Sequence, residues 1–187
     1  MKQWGYLFNE DACIGCRACE LACHNKNQTS SEVRWRRVTP LANGSFLSLS
    51  CNHCENPECF RVCPQRAFVK RYDGIVLINS DLCNGCMLCV SACPYHAPQY
   101  DPVKNRVTKC NLCVERIDQG ELPVCIEACT TGSLQLIDLN DEQTDDTVDR
   151  IEGMPDIRLT RPSIRFYPAQ QRKKFLLKIH SDDESKK

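Results

Sequence analysis

Sixteen cysteines, gathered into four quartets, carry the chemistry of this sequence. The first quartet is Cys13, Cys16, Cys19 and Cys23, and the second is Cys51, Cys54, Cys59 and Cys63. The third is Cys83, Cys86, Cys89 and Cys93, and the fourth is Cys110, Cys113, Cys125 and Cys129. The third follows C-x2-C-x2-C-x3-C-P throughout, a spacing in which three thiolates wrap one iron-sulfur cubane and the fourth serves another. Gly85 in that loop allows close backbone approach to inorganic sulfur, and Cys93, on a short turn ended by Pro94, points away. The first quartet repeats the spacing with Gly15 in the equivalent place, but His24 stands where the pattern has proline. With four thiolates already present, His24 reads as a polar neighbour and not a ligand. The second and fourth quartets lengthen the gap before their third cysteine, and each insertion holds a proline, Pro57 or Pro123, able to reverse the backbone. Cys63-Pro64 keeps the ending, whereas Cys129 is followed by Thr130.

Two other uses of cysteine compete with this reading. Structural zinc sites also use C-x2-C pairs, but they set two knuckles across a longer gap, whereas two quartets here pack three cysteines into seven residues around a glycine. A disulfide scaffold belongs to an oxidising compartment, and no basic segment, apolar run or twin arginine precedes Cys13 to direct export. No serine-histidine-acid set, P-loop or dinucleotide glycine motif is present, so the chain is expected to be no enzyme by itself and to hold no small-molecule substrate. Arg17, between Cys16 and Cys19, is a candidate for raising the potential of one cluster.

The elements that must position these cysteines are short. Of 187 residues 42% are hydrophobic, but that count includes the cysteines, and without them only about a third of the chain is apolar, low for a globular domain. Something besides aliphatic packing must hold the fold. Asp73-Gly74 between apolar runs predicts a hairpin over 67–79, Lys104-Asn105 centres a second over 100–109, and 133–139 reads as a strand. Residues 114–119, closed by Gly120 and Pro123, read as one or two helical turns. The acidic run 138–149 reads as a solvated, mobile loop, and 181–187 as a disordered tail. Apolar runs near Phe46 and Phe175 are too short to cross a bilayer, and 24 basic against 24 acidic residues give no argument for nucleic acid.

With all four quartets read, the chain resembles the iron-sulfur subunit of the dimethyl sulfoxide reductase family of molybdenum or tungsten enzymes. CIGCRACELAC, CNHCENPECFRVCP, CNGCMLCVSACPYHAPQYD and KCNLCVERIDQGELPVCIEAC carry the likeness, which runs over roughly residues 4–170. It implies an α+β fold of two ferredoxin-like modules, each of the bacterial 2[4Fe-4S] kind, with short hairpins and helices, long loops and a C-terminal strap. The outer module would take 1–50 with 95–140 and the inner 51–94, leaving 141–187 as acidic linker and strap. The resemblance further implies four [4Fe-4S] clusters held by cross-ligation. Cys13, Cys16 and Cys19 would join Cys129; Cys110, Cys113 and Cys125 would join Cys23. In the inner pair, Cys51, Cys54 and Cys59 would join Cys93, while Cys83, Cys86 and Cys89 would join Cys63.

The partners implied are a large catalytic subunit with a bis-pterin molybdenum or tungsten cofactor, along which 155–168 would lie, and a membrane anchor exchanging electrons with quinone. The chain would then be peripheral to a membrane through its partners, on either side, with no signal peptide or transmembrane helix of its own. A free polyferredoxin, or the electron carrier of a hydrogenase or formate dehydrogenase, is the competing class.

Overall fold

The computed structural model describes residues 2–140 and 144–168. The tail at 181–187, the apolar run near Phe175, and Asp141 and Glu142 of the acidic run lie outside them. In chain order the elements are Trp4–Phe8 (β1), Ala18–Asn27 (α1), Arg37–Pro40 (β2), Phe46–Leu49 (β3), Glu58–Arg61 (α2), Phe68–Lys70 (β4) and Val76–Ile78 (β5). They continue with Leu88–Ala92 (α3), Gln99–Asp101 (β6), Arg106–Thr108 (β7), Val114–Asp118 (α4), Val124–Glu127 (α5), Leu134–Asp138 (β8) and Ile164–Phe166 (β9).

The two hairpins and the late strand form where turn chemistry places them. Phe68 pairs with Ile78 across the Asp73-Gly74 turn, and Gln99 pairs with Thr108 across Lys104-Asn105. Gly74 and Asn105 both take positive φ, 84° and 53°, which a tight reversal needs and which Gly and Asn tolerate. A third hairpin joins β2 to β3. The largest sheet has three strands in the order β8-β1-β9, with β1 antiparallel to β8 and parallel to β9. Its central strand is buried at Tyr6, Leu7 and Phe8, and Phe8 meets Phe166 edge-to-face at 6.4 Å.

This sheet draws part of the anticipated strap into the fold. Ile164 and Phe166 are buried on β1, the Ser163 N–H donates to Asn52 O at 2.8 Å, and the Tyr95 and Thr160 hydroxyls lie 2.7 Å apart. The acidic run also contributes, since Asp138 ends β8, its carboxylate accepts the Gln3 N–H at 2.8 Å, and Val148 bridges to Phe166. Backbone pairing therefore anchors the run at Asp138 and Val148, while Asp145, Asp146 and Asp149 are exposed as a solvated loop requires.

Apolar packing falls into three small clusters, each containing cysteine. The largest sets Tyr6, Phe8, Leu112, Leu134, Ile164 and Phe166 around Cys19 and Cys125. A second holds Cys51, Cys54, Cys93 and Cys110 with Tyr95, and a third holds Cys59 and Cys89 with Phe68, Val76 and Val107. The β6–β7 hairpin, at the start of the stretch 95–140, thus packs through Val107 and Tyr100 on the inner cysteines. Among the described residues no helix is long and apolar enough to cross a membrane.

Candidate metal centre

The first and third quartets fold as copies. Gly15 and Gly85 sit at φ 71° and 73°, and two residues later Arg17 and Met87 both take φ 60° before a helix begins. Left-handed backbone at a non-glycine residue costs roughly 1–2 kcal/mol, so its recurrence at matching positions marks a shape the loop must keep. What the glycines answer to is neighbouring protein as well as backbone angle: a Cβ at Gly15 would lie 2.7 Å from the Phe46 ring, and one at Gly85 3.2 Å from Asn105 O. The turns after the fourth cysteines also repeat. Arg66, His96 and Gly132 each stand three residues beyond a fourth cysteine, each has positive φ, and each N–H donates back to that cysteine's carbonyl at 3.1–3.2 Å.

The departure at His24 has a structural consequence. Pro94 confines Cys93 to extended backbone, φ −83° and ψ 113°, and α3 ends at Ala92. Without that proline α1 runs ten residues through Cys23 to Asn27. His24 Nδ1 lies 2.7 Å from Thr29 Oγ1 and 3.2 Å from an Arg34 nitrogen, polar contacts with side chains outside the quartets.

None of the sixteen cysteines forms a disulfide, and the fold gathers them across quartets. Cys13, Cys16, Cys19 and Cys129 line one small cavity, and Cys83, Cys86, Cys89 and Cys63 line another. Helix α1 packs on α5 and places Cys23 beside Cys110, Cys125 and Cys113. Helix α2 packs on α3, and Cys54 faces Cys51, Cys93 and Cys59. Adjacent sets also meet, since Cys110 shares a cluster with Cys51 and Cys93, and Cys59 shares one with Cys89.

Burial sets the thiol chemistry. It pushes Cys59 up to about 12 and Cys125 up to about 11, with neighbouring thiols adding to the rise, while Lys109 and Arg36 oppose it. Cys129 ends below the ordinary thiol value, because although burial raises it, the Ser133 hydroxyl at 3.2 Å and nearby backbone N–H groups more than compensate. Such interiors exclude bare thiolates and favour thiolates bonded to a metal.

The donor set fits iron-sulfur clusters. Among the described residues no three His, Cys, Asp or Glu side chains are gathered to hold one metal ion, as a mononuclear zinc site demands. Backbone N–H groups of Ala67, Val107 and Leu112 point at the Sγ atoms of Cys63, Cys83 and Cys110, each at 3.4 Å. Buried polar atoms without protein partners lie within the cysteine loops: the Asn52 amide, and His53 Nε2, whose ring accepts the Val76 N–H at Nδ1 and so carries its proton at Nε2. Cluster sulfurs are acceptors such donors can use.

Two buried cations beside the cysteines have no signal in the sequence. Arg36 and Lys109 are each 2% exposed, and Lys109 Nζ donates to the carbonyls of Val76 and Cys110. Arg17, expected to bear on one cluster, is exposed beside Leu21 and Arg34, though it also borders the cavity lined by Cys13.

Comparison with known proteins points to the same cofactor. A 4Fe-4S dicluster domain matches residues 42–139, and a 4Fe-4S binding domain matches 4–25. The B subunit of anaerobic dimethyl sulfoxide reductase from Haemophilus influenzae is 36% identical over 185 residues, 90% of each protein. Its Escherichia coli counterpart is 36% identical over 182 residues, 89% of each. The polysulfide reductase B subunit from Wolinella succinogenes is 39% identical over 153 residues, 76% of this sequence and 80% of its own. The chain is an iron-sulfur protein that binds [4Fe-4S] clusters, and it belongs to the family that includes these reductase B subunits.

Proposed function

We propose that the chain is the non-catalytic electron-transfer subunit of a membrane-linked oxidoreductase, holding four cross-ligated [4Fe-4S] clusters between a molybdenum or tungsten bis-pterin subunit and a quinone-linked anchor. The observation that carries it is the cavity shared by Cys129 with the first quartet's triad and that shared by Cys63 with the third's. In this reading Cys13, Cys16, Cys19 and Cys129 hold one cluster; Cys110, Cys113, Cys125 and Cys23 the next; Cys51, Cys54, Cys59 and Cys93 the third; Cys83, Cys86, Cys89 and Cys63 the last. When bound, the clusters supply one-electron carriers.

The residues do the rest. The middle two sets are largely buried, while Cys16 and Cys86, in the two terminal sets, are exposed. Exposed apolar side chains stand near each exposed cysteine in the sequence, Ile14 and Leu21 in the first quartet, Met87 and Leu88 in the third, and Ile14 and Met87 border the same cavities as Cys16 and Cys86. Such patches suit docking of two different partners, one at either end of a line of buried thiolates. Of the strap, Asp156, Arg158, Leu159, Arg161, Tyr167 and Pro168 remain outward for the large subunit, while Thr160, Pro162, Ser163, Ile164 and Phe166 pack inward. Peripheral membrane association follows from the partners.

Anaerobic purification with the neighbouring subunits tests the reading. About 16 iron and 16 sulfide per chain are expected, from four clusters of four, together with a large subunit bearing molybdenum or tungsten. Stoichiometric zinc with little iron would overturn cluster binding. A loaded chain that stays alone would favour a free polyferredoxin or a hydrogenase- or formate dehydrogenase-linked carrier.

A further inference from the structure

Arg36 lies just before β2 with its guanidinium wholly inside the protein. One terminal nitrogen donates to Ser48 Oγ at 3.1 Å and to Ser48 O at 3.3 Å, and the other donates to Ser50 Oγ at 2.8 Å. Its face rests 4.6 Å from the centre of the Tyr6 ring, and its Nε has no protein partner. Among the described residues no carboxylate pairs with it. A buried cation with only neutral partners is strongly disfavoured, so negative charge must be supplied nearby.

The groups around Arg36 lead to two different cysteine sets. Ser48 Oγ, which accepts from the guanidinium, lies 3.4 Å from Cys19 Sγ. The hydroxyl of Tyr6, whose ring the guanidinium covers, lies 3.6 Å from Cys110 Sγ. Cys19 belongs to the set with Cys129, and Cys110 to the set with Cys23. A polarised hydroxyl therefore reaches a sulfur on each side of one fixed positive charge.

We propose that Arg36 is the shared counter-charge of the two outer cysteine sets, raising the reduction potentials of both clusters they hold while leaving the inner two unchanged. This rests on the cross-ligated reading above. Each reduction adds one electron, and one unit of negative charge, to a cluster without making or breaking a bond; a cation held between two clusters favours that step at either. Arg36 also lies beside Cys125 of the set with Cys23, supplies no ligand to either cluster, and acts as a positioning and electrostatic residue.

The test is a mediated redox titration, followed by electron paramagnetic resonance, of the anaerobically prepared, cluster-loaded full chain carrying Arg36→Gln or Arg36→Lys. Gln keeps hydrogen bonding to the serines but removes the charge; Lys keeps the charge. The expected result is a fall of the two outer potentials in Arg36→Gln by at least tenfold in the reduction equilibrium, about 59 mV for a one-electron couple. The inner two should hold, and Arg36→Lys should recover most of the loss. If Arg36→Gln fails to load the outer clusters, restored iron in Arg36→Lys carries the same conclusion. Four unchanged potentials in Arg36→Gln, a shift confined to the inner pair, or equal failure of both variants would overturn it. Wild-type protein holding clearly fewer than about 16 iron per chain would instead overturn the four-cluster reading on which this rests.

Discussion

The first and third quartets begin alike and end differently. Both wrap their triad with the same two left-handed positions, Gly15 and Arg17 in one, Gly85 and Met87 in the other. After the triad, Pro94 stops α3 and the chain turns at once toward the β6–β7 hairpin, whereas His24 lets α1 continue to Asn27. The longer helix gives α1 a face to set against α5, about a hundred residues further along the sequence, while the short α3 meets α2 across the β4–β5 hairpin. The two quartets thus differ both in the length of the helix after the triad and in how far along the chain that helix finds its partner. The long-range half also gains a three-stranded sheet, with β1 between β8 and β9, where the inner half has only two-stranded hairpins.

The strongest way to break this contrast is His24→Pro, which would give the first quartet the third's ending. A proline there removes a hydrogen bond of α1 and crowds the carbonyl of Glu20, costing about 3 kcal/mol or more, and it forces Cys23 toward extended backbone. Loss of about four iron per chain is expected, from the set with Cys110, with the first triad's cluster kept; iron analysis with cluster spectroscopy reads both.

Next is the sheet. Ile164 is 1% exposed on β9, and Ile164→Ala should cost roughly 2–5 kcal/mol in anaerobic denaturation. The inner hairpins should show less effect than the outer sheet. Removal of 160–166 should likewise damage the fold instead of weakening partner assembly alone.

The glycines sharpen the comparison further. Alanine at Gly85 meets a left-handed backbone, worth roughly 1–2 kcal/mol, and a contact at 3.2 Å; at Gly15 it adds a collision with the Phe46 ring at 2.7 Å. Gly15→Ala should therefore destabilise more than Gly85→Ala, and Phe46→Leu should narrow the gap in thermal melts.

The smallest effect concerns the tie between halves, where Arg71 pairs with Asp118 of α4 at 2.7 Å and with Asp73 at 3.0 Å. The hydrogen bond from Arg71 holds the Asp118 carboxyl below its usual range. Asp118 is solvent-facing, so Asp118→Asn should lower the melting temperature slightly in low salt, and the difference should vanish as ionic strength rises.

What the sequence made legible was local. The hairpins at Asp73-Gly74 and Lys104-Asn105 announce themselves by turn residues, and the α4 segment by Gly120 and Pro123. The cysteine triads were legible because cluster binding fixes spacing within a few residues. Long-range features were not. Strand β1 is buried almost throughout, so WGYLF shows no alternation, and its partners lie more than a hundred residues away. Helix α1 buries Cys19 and Cys23 where an ordinary helix would bury leucine, leaving its sequence polar. Strand β9 does alternate, as Ile164-Arg165-Phe166, but Pro162 and Pro168 around it read as an irregular strap. Arg36 sits in a run with Arg34 and Arg37 that looks like solvated charge, and only the serines facing it across β3 reveal that it is inside.

The central claim is that each fourth cysteine serves a cluster other than that of its own triad. A structure of the anaerobically prepared, cluster-loaded chain tests it directly at the sulfur of Cys23. The account predicts an Fe–S bond from Cys23 to the cubane held by Cys110, Cys113 and Cys125, with Cys129 on the cubane of Cys13, Cys16 and Cys19. Cys23 bound to the same cubane as Cys13 would contradict it, even with every cysteine a ligand.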